Sequence, residues 1–242
     1  MDLEHISELL RPFLAAGGGP VRLAPEQLAS ISTYVDLLMR WNARISLTAV
    51  RQPDAIITRH FGESLFLAAR LVPGTSAETP GIIPPHALDL GSGAGFPGLP
   101  LKIYSPRVQV TLLESNHKQA AFLNEVIRAL GISGCRVVSE RIEARLMQKG
   151  NSDLPLAIPP AGLVTMRAVE HFEAALTAAA ELIRRSSVRT GGGKLALLIG
   201  LSQAGAVPRL VPDFWWSSPL AVPQSRERVL LVGQFPQALE PK

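Results

Sequence analysis

The chain has 242 residues, 47% hydrophobic and 18% charged, a globular rather than a disordered composition. No apolar run approaches the roughly 20 residues a membrane helix needs, and "MDLEHISELLRPF" at the start lacks the basic head and apolar core of a secretory signal, so a cytoplasmic protein is expected. Lys and Arg number 24 against 20 Asp and Glu, a net charge of +4 that permits a polyanionic partner without demanding one, and the single cysteine, Cys135, excludes an intrachain disulfide framework and any multi-cysteine zinc site.

Leu3, Ile6, Leu10 and Phe13 share one face of a helix over 3–14, which "AAGGGP" stops. Pro25 suits the first turn of a second helix, along which Leu28, Ile31, Val35 and Leu38 recur at helical spacing. Residues 54–71 read as a third, with Ile57, Phe61 and Leu65 inward. These helices form an N-terminal extension over 1–72. The Pro-, Gly-, Ser- and Thr-rich stretch that follows reads as a linker over 73–85.

From residue 86 to 242 the pattern changes. Short apolar runs alternate with helical stretches: "HALDL" (86–90), "VQVTLLE" (108–114), "CRVVS" (135–139), "GLVTM" (162–166) and "KLALLI" (194–199), with helices over 116–130 and 169–185. Fully apolar strands separated by helices predict a parallel sheet covered on both faces. "FWWSSPLAV" and "RVLLVGQF" have no helix between them and predict a final antiparallel pair, making seven strands in all. Residues 150–160 read as a loop.

The first strand runs into "GSGAG". In an open parallel sheet ligands sit at the carboxyl ends of the strands, where the strand order reverses. Gly91 and Gly93 allow a sharp turn and close backbone approach. A dinucleotide loop wants a third glycine where Phe96 stands; here the loop is Gly91-Ser92-Gly93-Ala94-Gly95, which suits S-adenosylmethionine, a cofactor without a pyrophosphate. Asp89 stands where a carboxylate can approach the methionine amino group. Glu114, 23 residues after Gly91, stands where an acid accepts both ribose hydroxyls. Ile142 and Glu143 fall where an adenine ring would be edged.

These residues resemble the bacterial RsmG group, formerly GidB. The resemblance covers roughly residues 25–235 and is carried by "RWNARISLTAV" (40–50), "RHFGES" (59–64), "LDLGSGAGFPGLPL" (88–101), "TLLESNHKQAAFL" (111–123) and "TMRAV" (165–169). It implies a Rossmann-like α/β fold of class I S-adenosylmethionine-dependent methyltransferases. It also implies methylation of guanine N7 at one position of 16S RNA, with the small-subunit RNA or the small ribosomal subunit as partner. Carried over residue by residue, the cofactor contacts fall on Gly91, Phe96, Ile142, Glu143 and Arg167, and the active-site arginines on Arg141, Arg167 and Arg228. Arg40, Arg44, Arg51, Arg59 and His60 become candidates for RNA contact. Three positions depart from the family: Ile199 stands where a lysine is usual, Val229 where a histidine is often found, and Ser46 opens a Ser-Leu-Thr run where Asn-Leu-Thr is commoner. A monomer without a metal is expected.

Other methyl-transfer chemistries leave marks absent here. Methylation at pyrimidine C5 needs a nucleophilic cysteine, and Cys135 reads as core. Amino-group methylation of adenine uses an Asn/Asp-Pro-Pro-aromatic run after the fourth strand, where this chain has "TMRAV". Two alternatives stay open on the residues alone: a small-molecule methyltransferase, and a homologue that binds cofactor or ribosome with impaired catalysis.

Overall fold

The structure, a computed structural model, describes residues 1–18, 22–72, 86–141, 158–169 and 171–236. The strands are β1 (His86–Leu90), β2 (Gln109–Leu113), β3 (Cys135–Val138), β4 (Leu163–Arg167), β5 (Gly193–Gly200), β6 (Trp215–Trp216), β7 (Leu220–Ala221) and β8 (Arg228–Phe235). They form one sheet in the order β3-β2-β1-β4-β5-β8-β6, with β7 also on β8. β1 to β5 are parallel, and β8 is antiparallel to β5 in an unbroken register from Gly193↔Phe235 to Gly200↔Arg228. The order reverses between β1 and β4. The predicted seven strands become eight because the outer edge is broken. β6 and β7 pair with the two ends of β8, and the break between them holds Pro219, which has no N–H to donate to a ladder.

The helices are α1 (Leu3–Gly17), α2 (Pro25–Asn42), α3 (Pro53–Ile56), α4 (Glu63–Leu71), α5 (Gly98–Tyr104), α6 (His117–Ala129), α7 (Phe172–Thr190), α8 (Leu201–Ala204) and α9 (Val207–Leu210). Asp2 and Asn116 cap α1 and α6 through their side chains, and Gly18, at φ 77°, ends α1 in the left-handed conformation. The predicted third helix is not a uniform α-helix. Residues Ile57–Gly62 form a π segment between α3 and α4. The predicted start of α7 at residue 169 is also corrected. Ala168 and His171 have φ of 47° and 52°, which no right-handed helix accommodates, so α7 begins at Phe172.

Alternation along the strands sorts side chains onto two faces. On one face Ala87, Val110, Leu163, Ala196, Leu198 and Leu230 join a core with Ile6, Phe13, Ile31, Leu65 and Phe122. On the other, Leu88, Leu90, Val164, Met166 and Leu231 pack against Leu176 and Ile183 of α7. The N-terminal helices thus cover one face of the sheet and share a single core with it. The expected linker over 73–85 lies outside the described residues, as does most of the expected loop over 150–160.

Candidate active site

The glycine loop leaves β1 and folds back over β2. Gly91, Gly93 and Gly95 have φ of 67°, 56° and 93°. The N–H groups of Gly91 and Ser92 both donate to the Leu113 carbonyl, at 2.9 and 3.1 Å. At Gly95 any side chain is excluded twice, by φ and by space: a Cβ there would lie 2.7 Å from Leu99 Cδ1 and 3.0 Å from Leu123 Cδ2. Gly93 is different. The nearest atom a Cβ would meet is the Gly91 carbonyl oxygen at 3.9 Å, so open cleft lies over it. Glu114, directly after β2, accepts the Gly93 N–H at 2.8 Å through Oε2 and the Asn116 N–H at 2.7 Å through Oε1. The two N–H groups hold the carboxylate at the cleft wall.

Asp89 faces inward. Its Oδ1 accepts from Thr165 Oγ1 at 2.7 Å, and its Oδ2 accepts from the Gly98 N–H at 3.1 Å. It is 1% exposed, and burial raises its pKa to about 6 despite these bonds. Its carboxylate ties the end of β1 to β4 and to the start of α5, and it is not part of the cleft wall.

Alternation places Thr165 and Arg167 of β4, and Arg228 of β8, on the face covered by the N-terminal helices. There Arg167 is gripped from several sides. Its Nη2 donates to the Arg59 carbonyl at 2.8 Å and to His60 Nδ1 at 2.9 Å, and lies 3.1 Å from Glu63 Oε2. Arg228 Nε is 3.7 Å from the same oxygen. His60 stacks on Phe96 at 4.9 Å, and its Nε2 meets Thr48 Oγ1 at 2.8 Å. Because Arg167 can only donate, Nδ1 is the acceptor and Nε2 carries the hydrogen. Burial first, then Arg167, Arg59 and Arg228, lower the His60 pKa to about 3.

The chain of bonds continues outward. Thr48 Oγ1 accepts the Val50 N–H. Asn42, at the end of α2, accepts the N–H groups of Leu47 and Thr48 and donates to the Thr48 carbonyl. Tyr34 of α2 donates to the Ala94 carbonyl within the glycine loop and stacks on Phe96 at 5.4 Å. "RWN…SLT", "RHFGES", "GAGF" and "TMR" therefore meet at one place.

That place is a cleft of about 1030 Å³, ample for a nucleoside-sized ligand and part of a substrate. Gly91, Ser92, Gly93, Phe96, Glu114, Arg141, Arg167, Arg228 and His60 all line it. Ile142 and Glu143 lie outside the described residues. Arg40, Arg44, Arg51 and Arg59 are exposed and outside the cleft wall. Arg44 and Arg51 flank the segment Leu47–Val50, which forms part of that wall. His60 is only 9% exposed, with both ring nitrogens bonded internally. Sequence reasoning missed Asn42, Thr48 and Glu63 as site residues, although each stands inside a motif that carried the resemblance.

Packing also places several residues around the cleft. Ile199 and Val229 are cross-strand partners, 2% and 4% exposed, on the face opposite Arg167 and Arg228. These two departures from the family thus form one apolar pair. Burial pushes the Cys135 thiol up to about 12, which makes it no nucleophile. Arg184 of the "RRSSVR" stretch pairs with Asp213 at 2.7 Å. Among the described residues no group of three or more His, Cys, Asp or Glu could hold a metal, and no helix is long and apolar enough to cross a membrane.

A family model described as GidB, rRNA small subunit methyltransferase G, matches residues 27–190. The Ribosomal RNA small subunit methyltransferase G of Stenotrophomonas maltophilia (strain R551-3) is 34% identical over 221 residues, covering 90% of this chain and 89% of its own length. The protein of that name from Chromobacterium violaceum is 39% identical over 124 residues, 51% of this chain and 54% of its own. Among solved structures, a predicted O-methyltransferase from Agrobacterium tumefaciens matches with a TM-score of 0.52 at 16% identity, over 74% of this chain and 81% of that one. A ribosomal protein L11 methylase from Lactobacillus delbrueckii subsp. bulgaricus matches with a TM-score of 0.51 at 11% identity, over 74% and 79%. At these identities the two structures bear on the fold alone.

Proposed function

The chain belongs to the GidB family, the rRNA small subunit methyltransferases G, and from that premise we propose that it methylates N7 of one guanine in small-subunit ribosomal RNA, using S-adenosylmethionine. The observation that carries the reading is the bonded path Asn42–Thr48–His60–Arg167. It joins the N-terminal motifs to the arginine beside the glycine loop, so the part of the chain that would meet RNA and the part that would meet cofactor are one rigid unit.

The residues present fit the cofactor. Open space lies over Gly93, and the Glu114 carboxylate faces the cleft beside it. Glu114 would accept the ribose hydroxyls, and Gly91, Ser92, Gly93 and Phe96 would form the surrounding wall. When bound, S-adenosylmethionine supplies an electrophilic methyl group on a positively charged sulfur.

Guanine N7 carries an in-plane lone pair and no proton, so the reaction needs no general base at that atom. The protein's task is to hold the base in line and keep water out. Arg228 and Arg141 provide N–H donors for guanine O6 or a phosphate, while Arg167 is held back in the wall. The methylated base gains positive charge, so a cationic wall beside N7 would oppose the reaction. His60, kept uncharged, and Glu63, balancing Arg167, limit that charge. The exposed Arg40, Arg44, Arg51 and Arg59 would contact phosphates around the rim, and the target base must leave its stack to enter the cleft. The enzyme acts in the cytoplasm as a monomer and uses no metal.

The test uses labelled S-adenosylmethionine with naked small-subunit RNA and with intact subunits lacking the modification, followed by digestion and mass identification of nucleosides. Labelled 7-methylguanosine is the expected product. Cofactor binding with no transfer to either substrate overturns the reading.

A further inference from the structure

Glu63 is the first residue of α4, immediately after the π segment. Its side chain is 5% exposed and reaches the two arginines on β4 and β8. One oxygen, Oε2, serves both: Arg167 Nη2 lies at 3.1 Å and Arg228 Nε at 3.7 Å. Both are ion pairs to one buried oxygen, and the charges of Arg167 and Arg228 favour the ionised Glu63 carboxylate against its burial. The contact is therefore one of charge. Two guanidinium groups of like sign converge on one carboxylate oxygen, beside an imidazole held neutral. Such an arrangement needs a common anion, because an uncompensated buried charge is costly. Glu63 itself is not part of the cleft wall, so it acts through the arginines.

We propose that Glu63 is a positioning residue for methyl transfer, the shared counter-ion that sets Arg167 and Arg228 side by side on the cleft wall. The proposal rests on the reading of function given above. Arg167 has two further anchors, the Arg59 carbonyl and His60. Arg228, 29% exposed at its side chain, depends on Glu63 for its direction.

The decisive variant is Glu63→Gln, equal in size and without charge. Its kcat for methyl transfer to intact unmodified subunits should fall roughly 10- to 100-fold, the usual consequence of a misaligned reacting pair. Its affinity for S-adenosylmethionine, measured by calorimetry, should stay within about twofold, because the variant leaves Glu114 and the glycine loop untouched. Glu63→Gln should also cost less in an Arg228→Gln background than alone. An unchanged kcat, a cofactor affinity that falls in parallel with kcat, or equal losses in both backgrounds would overturn the proposal. A second readout needs no turnover. In spectra of 15N-arginine-labelled protein, the Arg228 Nε–H signal should be sharp in the wild type and broadened by exchange in Glu63→Gln. An identical signal in both overturns the proposal. Absence of transfer by the wild type would instead refute the functional reading and leave the arginine signal to decide on Glu63. If Glu63→Gln does not fold, Glu63→Asp keeps the charge and withdraws it by one methylene, and the same comparisons apply.

Discussion

The neutral state of His60 can be tested through stability. Burial, with Arg167, Arg59 and Arg228 in support, lowers its pKa from 6.5 to about 3. In the unfolded chain the ring titrates at its ordinary value, so between these limits only the unfolded chain takes up the proton. The stability contributed by the depressed pKa is complete at neutral pH, is lost as pH falls below 6.5, and is gone near 3. At pH 5 the unfolded ring is protonated roughly thirty to one, a loss of about 2 kcal/mol relative to pH 7. Asp89 works in the opposite direction, with a folded pKa of about 6 against 3.8. It returns about 1 kcal/mol over the same interval, and burial raises Glu63 with the same sign. The pH profile of the wild type alone therefore hides the effect. His60→Gln isolates it, because glutamine can bond Thr48 but cannot titrate. Urea unfolding of both proteins at pH 7 and pH 5 should show the stability gap between wild type and variant shrinking by about 2 kcal/mol at the lower pH. A gap of the same size at both pH values would refute the argument that the ring is held uncharged.

Gly95→Ala places a Cβ against Leu99 and Leu123 at φ 93°, and should cost about 3 kcal/mol in denaturant unfolding from overpacking and backbone strain; a cost below about 1 kcal/mol would contradict the crowding. Glu114→Gln keeps the shape at the cleft but gives up the charged acceptor. S-adenosylmethionine affinity by calorimetry should drop roughly 10- to 100-fold, and an unaltered affinity would remove Glu114 from the cofactor site. Thr48→Val deletes the hydroxyl between His60 and the Val50 N–H. It should lower stability by about 1–3 kcal/mol and reduce methyl transfer, whereas a variant as stable and active as wild type would show that the path through Thr48 carries nothing.

The strands and the glycine loop were legible because apolar runs and turn residues are local signals. "HALDL" is β1 to the residue, and Glu114 stands beside Gly93 as its spacing implies. Asp89 was not legible in the same way. Its position before the loop suggested the ligand, but period-two alternation puts it on the face of Ala87, above Gly98, where it serves the fold. The π segment was invisible for a related reason. Ile57, Phe61 and Leu65 recur every four residues, a spacing an amphipathic α-helix satisfies equally well. Glu63 escaped notice because its meaning depends on Arg167 and Arg228, more than 100 positions away in the chain. A charge on an apolar helix usually marks a solvated face; only tertiary contact turns this one inward. Ile199 and Val229 looked like two separate losses until the β5–β8 register made them neighbours.

The pairing of β8 with β5 also sets an order of events during synthesis. β1 to β5, with the glycine loop and Glu114, have all left the ribosome before Arg228 does, since a chain emerges from its N-terminus. Arg228 reaches the cleft only when β8 inserts between β5 and the edge strand, eight residues in register. A chain that ends before β8 therefore carries the glycine loop and Glu114 but lacks Arg228. The arginine wall of the cleft is thus complete only once the last strand is made.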